Sequence, residues 1–398
     1  MNEVLPGWCV TPVTAALLRG WVELEETAHG ILPHRLPAWA RAQWADPQLL
    51  MAEQQPSGVR LRLRTAATTV ELDALPTKRV YAGMPPRPDG IYDLVIDGRL
   101  AGQGSIPAGK IVRIDPASWS AGARPAPDAG PGMPGTLRFD RLPAGDKTVE
   151  IWLPHDEVTE LVALRSNAPI APCPERERMR WLHHGSSISQ GSNALHPTGI
   201  WPAVAAGLAG ADLLNLGFGG SALLDPFVAR TIRDQAADRI SLKLGINLVN
   251  MDAMRLRAFG PALHGFLDTI REGHPATPLL LVSPVFCPIH EQTPGPSVPV
   301  FSDGRLRFRA AGSEADIAGG KLTLALIRDT LEHIVAQRRA GDPHLHYLDG
   351  RTLYGEADHA RLPLPDGLHP DGAAHALIGQ RFAAAAFGLG RPFAKNGA

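Results

Sequence analysis

The spacing of apolar and polar positions changes character near residue 170. Over roughly the first 165 residues, short alternating runs stand between turn signals. Val59-Arg60-Leu61-Arg62-Leu63-Arg64 alternates strictly between apolar residues and arginine, the period of two that a half-buried strand requires. Thr69-Val70-Glu71-Leu72, Tyr92-Asp93-Leu94-Val95-Ile96 and Thr148-Val149-Glu150-Ile151-Trp152 read the same way. Asp97-Gly98 closes one of these runs with a hairpin-turn pair. Short strands with turns between them predict an all-β sandwich of the jelly-roll kind over 1–168.

Residues 169–178 follow as a predicted linker, within a stretch of three prolines and a charge run, because proline stiffens a chain and donates nothing to a ladder. Beyond it the rhythm lengthens. Strands are predicted at 179–184, 213–216, 239–244, 278–283 and 344–348, and helices at 199–209, 225–236, 256–271, 315–338 and 371–386. Strands alternating with helices predict βαβ units around a parallel sheet over 179–398. In such sheets ligands bind at the C-terminal ends of the strands, so the residues just after each strand carry the chemical interest.

Composition narrows this picture. A chain of 398 residues at about 150 per domain accommodates two or three domains, and the change of rhythm near residue 170 reduces this to two. Lys plus Arg number 39 and Asp plus Glu 40, which excludes a nucleic-acid binder whose whole surface is basic. A hydrophobic content of 44% excludes a disordered chain. Cys9, Cys173 and Cys287 lie far apart with no CxxC pair, which fits neither a disulfide framework nor a zinc motif. The first residues lack the basic and apolar regions of a signal peptide, and no run approaches 18 apolar residues, so the expectation is a soluble cytoplasmic protein that neither spans nor binds membrane. Glycine contributes 41 residues and proline 37, about a fifth of the chain against about 12% on average, which predicts many turns and a site built from loops.

Four segments follow four of the predicted strands. In Gly185-Ser186-Ser187-Ile188-Ser189-Gln190-Gly191 a serine sits in a glycine-flanked turn, where a substrate can reach its hydroxyl; a serine-rich helix cap explains the segment equally well. Asn215-Leu216-Gly217-Phe218-Gly219-Gly220-Ser221 brings glycines close enough for a backbone N–H to meet a ligand. Its spacing departs from the GxGxxG dinucleotide fingerprint, and the remaining alternative is a plain glycine loop. Asn247, in Leu244-Gly245-Ile246-Asn247, offers an amide donor to an oxyanion, or is simply a turn residue. In Asp366-Gly367-Leu368-His369-Pro370 the carboxylate lies three residues before the imidazole, near enough to set its tautomer, although a capping Asp beside an unrelated His gives the same pattern. A rival pair, Asp371 and His375, stands at helical spacing and reads as a surface pair. His183 and His184 point to opposite faces of one strand, which argues against a two-His metal site.

Together, in this order, the four segments resemble the blocks of the GDSL-type esterases and lipases, the SGNH hydrolases. The resemblance covers about 179–390. It is greatest for a subgroup with an N-terminal β-sandwich, which includes a GDSL acyltransferase of tetracycline biosynthesis. It implies a three-layer flavodoxin-like catalytic domain over 179–398, and an N-terminal domain like a carbohydrate-binding module. It also implies a Ser187-His369-Asp366 triad and an oxyanion hole of Ser187, Gly220 and Asn247, with neither metal nor organic cofactor. The usual Gly-Asp-Ser-Leu block reads Gly-Ser-Ser-Ile here, which leaves two candidate serines, of which Ser187 holds the expected register. Ser189 reads as structural.

The expected activity is hydrolysis of a short acyl ester, such as acetyl, of a sugar, glycoside or other small alcohol. The alternatives are transfer of the acyl group to a hydroxyl acceptor, and, in another class, carbohydrate binding without catalysis. His290 and Glu291, after the fourth strand, are placed either to line the substrate pocket or to form a polar surface loop. Six of eight tryptophans, Trp8, Trp21, Trp39, Trp44, Trp119 and Trp152, lie in the first domain, and most of them read as core rather than as sugar-stacking surface. Oligomeric state has no signature in the sequence.

Overall fold

The computed structural model describes residues 7–83, 86–114, 126–127, 132–174, 178–302 and 305–394. Trp119 lies outside them. The chain divides into two compact units, Met1–Glu177 with His196–Thr198, and Arg178–Leu195 with Gly199–Ala398.

The first unit holds an eight-stranded and a six-stranded sheet. Leu61, Leu63, Leu94, Val149 and Ile151 of the smaller sheet join Val70, Leu72, Ala74, Leu161 and Leu164 of the larger in one buried cluster. Asp97 and Gly98 both take positive φ, 47° and 80°, and turn strand Ile91–Ile96 into Arg99–Ser105, as the Asp-Gly pair predicts.

The alternating arginines do not behave as predicted. Strand Arg60–Thr65 is not half-buried: Arg60 and Arg62 are 1% and 4% exposed. Their charge is met by Glu150 on the paired strand Lys147–Trp152, 3.7 Å from Arg60 Nε and 3.4 Å from Arg62 Nε. The Arg60 guanidinium also lies 4.6 Å above the Trp152 ring. Ile170–Pro172, within the stretch read as a linker, pairs with Arg60–Thr65 at the sheet edge, where a proline's missing N–H costs no ladder bond. Of the described tryptophans here only Trp152 is buried, whereas Trp39 and Trp44 are 44% and 66% exposed.

The second unit is built on a five-stranded parallel sheet. In space the strands run Ala211–Gly217, Met179–Gly185, Arg239–Lys243, Leu279–Val282 and Leu345–Leu348. Numbered by chain order this is 2-1-3-4-5, the arrangement of flavodoxin-like doubly wound sheets. The chain crosses the sheet in opposite directions after strand one and after strand two, and right-handed crossovers then place the intervening helices on opposite faces. The contacts agree: Trp201–Ala209 packs on Gly372–Phe382, while Pro226–Asp234 packs on Leu256–Gly273. Strands of this kind are apolar on both faces, as Leu279 to Val282 show, each at most 1% exposed.

Two local expectations fail for identifiable reasons, and one element is unpredicted. The helix predicted over 315–338 is broken into Ala315–Ala318 and Leu324–Arg338, because Gly319-Gly320 turns the chain and Thr323 Oγ1 caps the second helix by accepting from Leu326 N–H. An antiparallel hairpin of Ser297–Ser302 and Arg305–Ala310 stands where no element is predicted. His375 is fully buried rather than a surface partner of Asp371. Its ring lies 3.0 Å from Ser192 O and accepts the Trp201 N–H, while Asp371 caps the helix through Ala374 N–H. No helix among the described residues is long and apolar enough to cross a membrane.

Lys243, the last residue of the middle strand, is 2% exposed. Burial pulls its pKa down to about 8 from 10.5, and Arg328 acts in the same direction. A folded-state value below the unfolded one means that the unfolded chain holds the proton more tightly. The ammonium therefore costs stability fully below pH about 8, and the cost shrinks as pH rises towards 10.5. Lys243→Met is expected to be more stable than wild type at pH 7 by about 3 kcal/mol, with the gap in urea midpoint narrowing between pH 8 and 10. A gap that stays constant with pH would separate the effect from titration.

Candidate active site

The site lies at the C-terminal ends of the first three parallel strands and in the loop before the last helix. Strand Met179–Gly185 stops because Ser186 caps the short helix Ser187–Gln190, its Oγ accepting from Ile188 N–H at 3.4 Å. The cap thus occupies Ser186, while Ser187 Oγ lies 2.9 Å from His369 Nε2. His369 Nδ1 lies 2.8 Å from Asp366 Oδ2. An ionised carboxylate only accepts, so Nδ1 carries the hydrogen and Nε2 is left as an acceptor for the Ser187 hydroxyl. Of the two serines, the structure sets Ser187 against the imidazole.

Asp366 is held from several directions. Its Oδ1 accepts the backbone N–H groups of Leu368 at 2.9 Å and His369 at 2.7 Å. Its Oδ2 accepts the His369 ring and Asn193 Nδ2 at 3.2 Å. Burial pushes this carboxyl up, but the hydrogen bonds and the charge of His369 outweigh it and hold the pKa at about 2. Asp366 therefore stays ionised throughout the working range.

The glycine loop after strand Ala211–Gly217 is fixed amide by amide. Gly217 N–H donates to Asn215 Oδ1, Phe218 N–H to Gly185 O, Gly219 N–H to Gln190 Oε1 and Ser221 N–H to Phe218 O. Among the described residues only Gly220 of this run has an amide without an acceptor. Gly220 takes a φ of 74°, which glycine adopts without strain. Gly217 is required for a different reason: a Cβ there would come within 2.5 Å of Gln190 N. Such a contact would separate the glycine loop from the Ser187 helix.

Asn247 sits in the helix Ile246–Asn250 that follows the third strand, and is 1% exposed. Its Oδ1 accepts Ala222 N–H at 3.1 Å, which decides the orientation of the amide and turns Nδ2 the other way. Asn247 Nδ2 lies 3.5 Å from Asn250 Oδ1, a long contact that leaves the donor weakly engaged.

His290 and Glu291 are tied into their own loop. The His290 ring lies 2.6 Å from Ser297 Oγ and 3.1 Å from Thr293 O, and Glu291 pairs with Arg328 at 2.7 Å while accepting Cys287 N–H. These contacts make the two residues struts of the loop after the fourth strand. Ser189 is structural, 2.8 Å from the His183 ring, while His184 turns the other way to Leu216 O. Among the described residues no three His, Cys, Asp or Glu side chains are grouped to hold a metal ion.

Three contributors are absent from the sequence reading. Gln190 occupies the Gly219 amide. Asn193, at φ 65°, reaches the Asp366 oxygen that also takes the His369 ring. Phe308 meets the edge of the His369 ring, with centroids 5.8 Å apart and planes at 78°. Only Asn193 carried a local signal, since asparagine, here two residues after Gly191, tolerates left-handed backbone.

Residues 180–287, within the second unit, match the model of the GDSL-like Lipase/Acylhydrolase family. The chain is similar over 95% of its length to the solved salicylyl-acyltransferase SsfX3 from a tetracycline biosynthetic pathway, with 96% of that chain covered, 29% identity and a TM-score of 0.75. It shares its fold with a protein of Bacteroides ovatus ATCC 8483 described as a GDSL-like lipase, at 17% identity, TM-score 0.66 and coverage of 94% and 96% of the two chains. It shares it also with a family two carbohydrate esterase from Clostridium thermocellum solved with cellohexaose, at 13% identity, TM-score 0.56 and coverage of 82% and 91%. The comparison with curated proteins gives no match. The fold is thus that of GDSL-like acylhydrolases and acyltransferases.

Proposed function

We propose that the protein is a serine esterase that removes a short acyl group from a sugar, glycoside or other small alcohol through an acyl-enzyme. One observation carries the reading: the unbroken chain from Ser187 Oγ through the His369 ring to Asp366, at 2.9 and 2.8 Å. His369 Nε2 takes the hydroxyl proton as Ser187 Oγ adds to the ester carbonyl. The carbonyl oxygen becomes an oxyanion facing the amides of Ser187 and Gly220 and the Nδ2 of Asn247. Collapse of this intermediate breaks the bond to the alcohol, which leaves with the proton held on His369. Water then enters by the same route, and the acid is released as Ser187 regains its hydrogen. Asp366 stabilises the imidazolium in both halves, and it is ionised down to pH about 2.

A second reading is supported by the similarity to a salicylyl-acyltransferase over 95% of this chain: an acceptor hydroxyl replaces water in the second half-reaction. The first unit is read as a β-sandwich resembling a carbohydrate-binding module, a reading supported by the exposed Trp39 and Trp44, since indole faces suit sugar rings. The test is product analysis on short-chain aryl esters, with and without a sugar or phenolic alcohol at high concentration. Free acid alone in both arms is the expected outcome. An ester of the added alcohol formed at the expense of free acid would favour the transferase.

A further inference from the structure

The hairpin Ser297–Ser302 and Arg305–Ala310 belongs to none of the motifs that define the site, yet one of its faces touches the catalytic imidazole. Successive strand residues point to opposite faces. One face carries Arg305, Arg307 and Arg309, all exposed. The other carries Leu306 and Phe308, with Phe301 and Pro299 as their cross-strand partners. This apolar face begins at the His369 ring, where Phe308 packs edge-on, and it is pinned there by Phe308 N–H donating to Asp366 O at 2.8 Å. The Phe301–Leu306 pair lies two residues further along the hairpin, about 7 Å from the Phe308–Pro299 pair. It is not covered: Phe301 is 60% exposed. Phe301 thus continues, as open apolar surface, a face that reaches the imidazole through Phe308, and a ligand ring laid on it would remove that surface from water.

The chemistry of the site tells which part of the ester meets this surface. The oxyanion lies on the side of Gly220 and Asn247. The alcohol oxygen must lie where His369 Nε2 can hand it a proton, on the side of Ser187 that His369 and Phe308 occupy. We propose that the apolar face of this hairpin, Phe308 continued by Leu306 and Phe301, is the wall against which the alcohol half of the ester binds, and that this alcohol presents a flat apolar ring face. The inference rests on the esterase reading for its direction, alcohol rather than acyl, but the wall itself is a statement about binding.

The test uses acetates of three alcohols, 2-naphthol, phenol and ethanol, with the full chain and the Phe301→Ser variant, whose side chain is exposed and adds little to folding. Loss of this wall is expected to lower kcat/KM for 2-naphthyl acetate about tenfold, and for ethyl acetate less than twofold. The naphthyl butyrate to acetate ratio stays the same. Binding of 2-naphthol itself, followed by its fluorescence in a Ser187→Ala background, weakens about tenfold in the Phe301→Ser protein. An equal fall for all three acetates, a change in the butyrate to acetate ratio, or naphthol binding indifferent to Phe301→Ser each overturns the proposal. If no ester were hydrolysed while naphthol binding still depended on Phe301, the esterase reading would fail and the wall would stand.

Discussion

Ser187→Ala is expected to lower kcat/KM for 4-nitrophenyl acetate by on the order of 10⁴-fold or more, while the protein remains folded. Removing the Oγ removes the atom that would be acylated, and His369 and Asp366 are then left without a nucleophile to activate. What remains is rate support from the oxyanion donors and from binding. The change touches little else, because the recorded partner of this hydroxyl is the His369 ring. Ser186→Ala is the informative contrast. It removes the cap on Ile188 N–H, which costs about 1 kcal/mol of stability, and should leave most of the activity. Steady-state rates and a thermal melt on both variants separate the two serines: activity lost in the Ser186 variant and kept in the Ser187 variant would reverse their roles.

Asn247→Ala has the second largest expected effect, a fall in kcat of roughly 10²- to 10³-fold with KM little changed, since the donor is needed only once the carbonyl oxygen carries charge. The same substitution also strips Ala222 N–H of its acceptor, and an unmet buried amide costs about 1–3 kcal/mol of stability. Asn247→Asp distinguishes the two effects. It keeps an oxygen for Ala222, replaces the donor by an acceptor, and sets a negative charge beside the developing oxyanion. It should therefore be at least as slow as Asn247→Ala and better folded. Equal kcat in wild type and both variants would remove Asn247 from the chemistry.

Much of the second unit was legible because its physics is local. The strands of a parallel sheet are buried on both faces and appear as continuous apolar runs, so Pro278 to Ser283 signals a strand without any knowledge of its neighbours. The loops that follow such strands face one edge of the sheet, and for that reason Ser187 and His369, 182 residues apart, come to lie within hydrogen-bond distance. What was not legible depends on remote partners. Arg60 and Arg62 alternate like a solvent-facing row, and only Glu150, far along the chain, allows them to be buried. His375 looked like a surface residue because Ser192 O and Trp201 N–H, which occupy its ring, lie on another segment. The hairpin of residues 297–310 was legible in principle: Arg305-Leu306-Arg307-Phe308-Arg309 alternates after Asp303-Gly304. The prolines Pro294, Pro296 and Pro299 mask its first strand, since proline argues against a ladder position. The divided helix over 315–338 shows the converse, an apolar period that continues across Gly319-Gly320 although the backbone does not.

The central claim, that Ser187 is the nucleophile of an acyl-transfer site, is tested most directly by covalent labelling. A fluorophosphonate bearing a short alkyl chain, followed by digestion and mass spectrometry of the labelled peptide, reads out the atom attacked. One equivalent of phosphonyl group on Ser187, with no label in Ser187→Ala and strongly slowed labelling in His369→Ala, is the predicted result. Phosphonylation of Ser186 or of a residue outside this loop, or full labelling of Ser187→Ala, would contradict it.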